Sequence, residues 1–280
     1  MATIATDPVG SYIRQLQLAF ETTDGVTTGR LPVHPALCSA PGLVRIGALT
    51  ILADCVAGFD ALSAFDMAWV GTSELGIHGP FGTVVGDEII ATGRLLKQRK
   101  SGGVFEISMR DSGRRDGHGP LATATVTLSL LSQQRGSKLD SAIAEHTGQL
   151  APVTPLTSLS DVLEPRSLPG RGLALELTDN VRNSWQVLSG GVAALLTELA
   201  AQEAAAEALG GHCIVDGLSL HFLAPGRSGP VEARADVLAA QTDRNGIAPG
   251  TAHLSVRLTD AGAEDRLIVA ATATAHRSPA

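Results

Sequence analysis

The stretch Ser189–Gly211, SGGVAALLTELAAQEAAAEALGG, constrains the fold most, because it is the clearest helix in the chain. Ser189 is a good N-cap residue, and the pair Gly210–Gly211 supplies a C-terminal stop. Apolar side chains recur at helical spacing, and one acid, Glu198, lies about 100° from the centre of the apolar face. We expect a residue at such a position to be neither fully buried nor fully exposed. Gln202 follows one turn later on the same flank.

A second stretch, Arg45–Leu62, repeats this layout. Gly47 precedes Asp54 by seven residues, and Gly191 precedes Glu198 by seven residues. The two acids also lie on the same side of their apolar stripes. Two apolar helices, each with a single acid at the same step from a glycine, indicate an internal duplication.

Length, charge and cysteine usage restrict the class of protein. The 280 residues suffice for two domains with their own cores, and the net charge of −7 argues against nucleic-acid binding. The chain has no run of 18 apolar residues and no basic, apolar leader, which predicts neither a membrane span nor a signal peptide. Three cysteines without a CxxC motif predict a reduced, cytoplasmic protein.

The pattern around the two helices divides the chain into three parts. They are an N-terminal unit (residues 10–132), a linker rich in Ser, Thr and Pro (residues 133–169) and a C-terminal unit (residues 170–277). Ser11–Phe20 is predicted as a short helix and Gly25–Leu37 as a strand and loop. The other predicted strands are Met67–Ile77, Thr83–Lys97, Val104–Asp111 and Pro120–Ser132 in the first unit, and Gly172–Thr178, Cys213–Leu223, Pro230–Ala240, Thr251–Thr259 and Arg266–His276 in the second.

This order of elements resembles a tandem hotdog fold, in which a curved antiparallel sheet wraps a central helix. His78 and His221, each close to a turn proline, differ by 143 positions, and Asp54 and Glu198 differ by 144, so spacing as well as order recurs. The resemblance implies an α+β protein whose two hotdog units pair as a pseudo-dimer. A homo-oligomer of that pseudo-dimer is left open.

The residues before each helix resemble one branch more closely, the phenylacetyl-CoA/4-hydroxybenzoyl-CoA thioesterases. Their pattern is close to Asn-x-x-Gly-x-x-His-Gly-Gly-x₆-Asp/Glu. The motif histidine is Arg45 in one half and Ser189 in the other. The second half reads Asn183-x-x-Gln186-x-x-Ser189-Gly190-Gly191-x₆-Glu198, and the first reads Ser39-x-x-Gly42-x-x-Arg45-Ile46-Gly47-x₆-Asp54.

In that family each site lies between paired units, so the resemblance implies two candidate sites. The favoured site combines Asn183, the Gly190–Gly191 helix start and Asp54, because the second half keeps the asparagine and both glycines. The other site would combine Glu198 and Gln202 with Ser39, Arg45 and the Ile46 amide.

The implied chemistry is hydrolysis of an acyl-CoA or carrier-bound acyl thioester. A backbone N–H at a helix N-terminus can stabilise the developing oxyanion, and a carboxylate can activate water or attack the carbonyl. Asn183 would orient the water or the thioester. This chemistry needs neither a metal nor a cofactor. The alternative is an acyl-thioester or lipid-binding protein that lost catalysis, which the missing histidines favour and the two retained acids oppose.

Overall fold

A computed structural model describes residues 15–131 and 163–278 of the protein, apart from residues 41, 67, 85, 115–118, 171, 184 and 242–249. Most of the predicted linker therefore lies outside the described residues. The elements are β1 Ala19–Thr23, β2 Val26–Pro32, β3 Cys38–Ala40, β4 Leu43–Val44, α1 Ile46–Ala64, β5 Val70–His78, β6 Glu88–Arg99, β7 Gly102–Asp111, β8 Ala122–Leu130, β9 Arg166–Leu168, β10 Gly172–Leu175, α2 Gly190–Leu209, β11 Cys213–Phe222, β12 Val231–Gln241, β13 Thr251–Asp260 and β14 Arg266–Arg277.

Twelve of the strands form one antiparallel sheet in the order β1-β2-β6-β7-β8-β5-β11-β14-β13-β12-β10-β9. The first-half strands lie on one side of the β5–β11 pair, and the second-half strands follow in the corresponding order on the other. At this junction Leu75 pairs with Leu220, and both side chains are buried. The sheet therefore continues from one half of the chain into the other.

Each half places its helix against its own strands, and the two helices also touch each other. Both helices are apolar around most of their circumference, as helices covered on several sides must be. Glycines allow their close approach. A β-carbon built on Gly47 would lie 2.6 Å from Leu195 Cδ2, and one built on Gly191 would overlap the side chain of Ile51.

The observed elements confirm the predicted strands that flank the helices. In β12, buried Val231, Ala233 and Ala235 alternate with more exposed residues, as in a half-buried antiparallel strand. Helix α2 ends at Gly210 in a left-handed conformation, φ 69°, as the glycine pair predicts. Ser189 occupies the N-cap position of α2, but its side chain makes no capping hydrogen bond.

Two short edge strands differ from the expectations. The helix predicted at Ser11–Phe20 is wrong at its end, because Ala19 and Phe20 belong to β1 and pair with β2 across a tight turn at Asp24 and Gly25. At the other edge of the sheet, β9 pairs with β10, although its sequence falls in the range assigned to the linker. Both strands are too short to show an alternating pattern in sequence.

Helix α1 is long and apolar enough, by length and composition alone, to cross a membrane, and it is 67% buried inside the protein. Burial of this extent against a sheet is what the core helix of a globular fold shows.

Candidate active site

Asp54 lies on α1 and faces the first residue of α2. Its Oδ1 accepts a hydrogen bond of 2.5 Å from the hydroxyl of Thr72, near the start of β5. Its Oδ2 points toward the second half, where a β-carbon built on Gly190 would lie only 3.4 Å away. The fold thus brings together Asp54 and Gly190, which are far apart in sequence, as the first candidate site requires.

The start of α2 presents backbone and no side chain to this carboxylate. Gly190 has no side chain, and a β-carbon there would also lie 3.6 Å from the ring of Phe222, at the end of β11. The amides of the first helical turn have no intrahelical acceptor and lie at the positive end of the helix dipole. A small group between Asp54 and Phe222 can therefore reach the backbone of Gly190 without meeting a side chain of that residue.

Gly191 has a different reason to be glycine. Its α-carbon packs on Ile51 of α1, so any side chain there would push the two helices apart. The sequence analysis assigns both glycines to the site. The structure places Gly190 beside Asp54 and Gly191 in the helix–helix contact.

Burial sets the protonation behaviour of Asp54. Loss of hydration raises the pKa of its carboxyl, and the hydrogen bond from Thr72 partly opposes this by stabilising the ionised form. The thiol of Cys55 next to it also has a raised pKa, because it is buried and lies beside the Asp54 charge.

Asn183 shapes the loop that enters α2. Its Oδ1 accepts hydrogen bonds from the backbone N–H of Trp185 at 3.0 Å and of Val187 at 3.3 Å, and its own N–H donates to Val187 O at 2.8 Å. These bonds make a local turn of the kind that asparagine side chains stabilise. The described hydrogen bonds of Asn183 therefore hold the loop, and none of them reaches Asp54.

The second candidate site also pairs an acid on one helix with the start of the other helix. Here the acid is bonded directly to that helix start. The Oε2 of Glu198 accepts a hydrogen bond of 2.9 Å from the Gly47 N–H, so this carboxylate itself occupies the amide at the start of α1. Its Oε1 lies 3.4 Å from Arg45 Nη1. The first residue of α1 is buried Ile46, where α2 has Gly190. The Ile46 side chain thus stands where α2 presents only the backbone of Gly190.

A polar chain runs outward from this second site. Arg45 Nη1 donates to Gln202 Oε1 at 3.0 Å, and Gln202 Nε2 lies 3.1 Å from His212 Nε2. Burial raises the pKa of Glu198, while the Arg45 charge and the Gly47 N–H oppose the rise. Ser39 is not part of this network of side chains, since its hydroxyl donates to Leu43 O. The arrangement caps α1 and neutralises a buried acid.

Thr72 and Phe222 are neighbours of the site that the sequence pattern does not reveal. Thr72 and Phe222 look like ordinary strand residues, and only tertiary pairing brings them to Asp54 and Gly190. Within the described parts of the chain, no three His, Cys, Asp or Glu side chains are arranged as metal ligands.

Comparison with solved structures identifies the fold. The protein is similar to the tesB protein of Mycobacterium avium subsp. paratuberculosis (TM-score 0.60, 13% identity, 96% of this chain and 98% of that one). It is also similar to a 12:0-ACP thioesterase from Umbellularia californica (TM-score 0.58, 11% identity, 90% and 94% covered). A hot dog fold protein from Alicyclobacillus acidocaldarius matches over 100% of both chains (TM-score 0.51, 10% identity). No family model and no curated protein matches the sequence. The chain has the hotdog fold.

Proposed function

We propose that this protein hydrolyses an acyl thioester, either an acyl-CoA or a carrier-bound acyl group, at the Asp54–Gly190 site. The observation that carries the proposal is the position of the Asp54 carboxylate beside the glycine that opens α2. Thioester hydrolysis needs a general base that activates water and hydrogen-bond donors that stabilise the oxyanion. A carboxylate next to the amides at the start of a helix can supply both. Structural similarity to a protein named as a 12:0-ACP thioesterase supports the choice of substrate class.

In the proposed reaction the thioester carbonyl oxygen lies at the first-turn amides of α2. Asp54 takes a proton from a water molecule, whose oxygen attacks the carbonyl carbon and places negative charge on the carbonyl oxygen. The amides stabilise this charge. The tetrahedral intermediate then collapses, the C–S bond breaks, and the proton held by Asp54 passes to the departing thiolate. The Thr72 hydroxyl fixes one carboxylate oxygen so that the other faces the substrate.

Asp54 can also act as the nucleophile. Its free oxygen would then form a mixed anhydride with the acyl carbon as the C–S bond breaks, and water would hydrolyse the anhydride in a second step. Asn183 supports either route by holding the loop before Gly190, which makes it a positioning residue in this proposal.

We assign the reaction to one site for each chain. The Glu198 carboxylate accepts the Gly47 N–H, next to the Ile46 amide that would have to receive the oxyanion. Arg45 contacts Glu198 and is itself bonded to Gln202. In this proposal the second site has become a structural cap for α1, and Glu198 and Gln202 have no catalytic role.

The wider organisation is part of the same proposal. The two units, residues 10–132 and 170–277, represent a fused dimer of hotdog units, which the corresponding strand order on each side of β5 and β11 supports. The partial motif at Asn183, Gly190 and Gly191 supports a relationship to the phenylacetyl-CoA/4-hydroxybenzoyl-CoA branch. All three cysteines are free thiols, which supports a cytoplasmic location.

The decisive experiment compares three conservative variants across acyl-CoAs of graded chain length. Asp54→Asn keeps the shape of the side chain but removes the base, and it should lower kcat by about 10²–10⁴-fold. Asp60→Asn is the matched control, because Asp60 is another buried acid on α1 whose Oδ1 accepts the Thr27 N–H. Glu198→Gln tests the second site.

We expect both Asp60→Asn and Glu198→Gln to retain turnover in the fraction of protein that folds. A silent Asp54→Asn together with an inactive Glu198→Gln would assign the reaction to the second site. Binding of acyl-CoA by the wild type without any hydrolysis would show a non-catalytic binder and reject the proposal.

A further inference from the structure

The tryptophans of this protein meet at one place. The sequence contains two, Trp69 and Trp185, and their rings lie 5.6 Å apart at an interplanar angle of 55°. Trp69 immediately precedes β5 in the first half, while Trp185 lies in the loop before α2 in the second. Each half of the chain therefore contributes one ring to a shared aromatic pair.

Two segments of the chain connect this pair to the Asp54–Gly190 site: the start of β5 and the loop before α2. A β-carbon built on Gly71 would lie 3.7 Å from Trp185 Cζ3, and the next residue along the strand is Thr72, the hydrogen-bond partner of Asp54. The loop that carries Trp185 is held by Asn183 and leads directly into Gly190. The ring of Phe222 approaches the same glycine. Aromatic side chains make up only 3% of the residues, and both tryptophans belong to this one pair.

The indole N–H of Trp185 has no acceptor within the described part of the chain, although the nitrogen is buried. Buried indole nitrogens normally find a hydrogen-bond partner, because an unpaired buried donor costs its full desolvation penalty. An unsatisfied donor in the loop that leads into Gly190 is available to bind a ligand atom. A carbonyl oxygen is a suitable acceptor for a neutral indole N–H.

We propose that Trp185 is a substrate-binding residue. Its indole N–H donates a hydrogen bond to a carbonyl oxygen of the substrate that is not the oxygen of the thioester group itself. The rings of Trp69 and Trp185 pack along the substrate. This inference rests on the proposed thioesterase function and adds the recognition group to it. Two parts of a thioester substrate carry such an oxygen: the amide of the pantetheine arm and a functionalised acyl group. The experiment separates these sources.

Fluorescence gives the first test, because no other tryptophan contributes to the signal. The probe is an S-(2-oxoalkyl)-CoA ketone, which keeps the carbonyl group but cannot be hydrolysed. We expect saturable quenching in the wild type and in Trp69→Phe, which leaves Trp185 as the single reporter. An unchanged spectrum on a protein that hydrolyses acyl-CoA would overturn the inference while leaving the proposed function intact.

Kinetics of Trp185→Phe give the second test. This variant keeps an aromatic ring but removes the N–H, and it should lower kcat/KM by about threefold to tenfold, the loss expected for one neutral hydrogen bond. The substrates are an N-acetylcysteamine thioester, which has an amide in its arm, and the S-ethyl thioester of the same acid, which has none. A 3-oxoacyl pair adds an oxygen to the acyl group.

A penalty confined to the amide-bearing arm assigns the N–H to the arm, and one confined to the oxoacyl pair assigns it to the acyl group. Either result supports the inference. An equal penalty for all four substrates, or no penalty at all, contradicts it, because a ring with a purely structural role does not discriminate between them. Thermal melting of each variant confirms that it folds.

Discussion

Asp54 and Glu198 occupy equivalent positions on equivalent helices, yet their neighbours differ. Glu198 is paired with Arg45 and with the Gly47 amide, so its charge is already compensated within the protein. Among the described residues, Asp54 accepts a hydrogen bond from Thr72, and its Oδ2 faces Gly190 at the start of α2. The loss of hydration makes this carboxylate costlier to keep ionised, because it has no cation such as Arg45 beside it among the described contacts.

The raised pKa of Asp54 predicts the acid limb of the pH profile. The proposed reaction needs the carboxylate, so kcat/KM should rise with pH through this raised pKa and then level off. Thr72→Val removes the hydrogen bond that lowers the pKa, so its acid limb should move to higher pH. Steady-state kinetics between pH 4 and pH 9, at about unit steps, measure the shift. A shift to lower pH in Thr72→Val would contradict this assignment.

Stability should depend on pH in the opposite sense to activity. A carboxyl whose folded-state pKa is raised holds its proton more firmly in the folded protein than in the unfolded one, so folding loses free energy as the pH rises from the unfolded pKa through the folded pKa. Asp54→Asn does not titrate. Its Tm relative to the wild type should therefore increase from pH 4 toward neutral pH, and a difference that shrinks over this range would contradict the raised pKa.

At the scale of elements, the pair Gly190–Gly191 combines access for substrate with helix packing. Its two positions should respond differently to the same change. Gly190→Ala adds a methyl group 3.4 Å from Asp54 Oδ2 and 3.6 Å from Phe222, so it should lower kcat/KM while the fold keeps its stability within about 0.5 kcal/mol. Gly191→Ala forces a methyl group against Ile51 and should destabilise the protein by about 1–3 kcal/mol.

Urea denaturation and steady-state kinetics on the two alanine variants separate these effects. The outcome that contradicts the structure is the reverse one, with Gly190→Ala unfolded or Gly191→Ala fully stable. Each variant controls for the other, because both add one methyl group to the first turn of the same helix.

At the scale of the whole molecule, the repeat made most of the fold predictable. The helices and their following strands are long, periodic and present twice, so each half supported the interpretation of the other. The edge strand β1 was missed, although its Asp24-Gly25 turn is a strong hairpin signal. The strand is short and mostly exposed, so it shows no alternating pattern, and the sequence around it also fits a helix.

The sequence predicted only those residues of the candidate site that recur at matching positions in the two halves. Asp54 and Gly190 stand out by their spacing, and the fold brings them together. The closure of the second site by Arg45 and Glu198 depends on two segments that meet across the helix pair, as does the contact of Trp69 with Trp185. Contacts between segments more than a hundred residues apart carry no local signal, so sequence reasoning could not supply them.

The proposed assignment of catalysis to the Asp54–Gly190 site alone predicts how many ligands each chain binds. Isothermal titration of the wild type with an S-(2-oxoalkyl)-CoA ketone should give one bound ligand for each chain, because Glu198 and Arg45 fill the second site. Glu198→Gln should keep this ratio, since the amide oxygen can still accept the Gly47 N–H and Arg45 remains in place. Gly190→Ala should weaken the binding that is observed, as its methyl group enters the open site. Two equivalent ligands for each chain would show that both helix starts accept substrate, and the assignment of Glu198 to a structural cap would then be wrong.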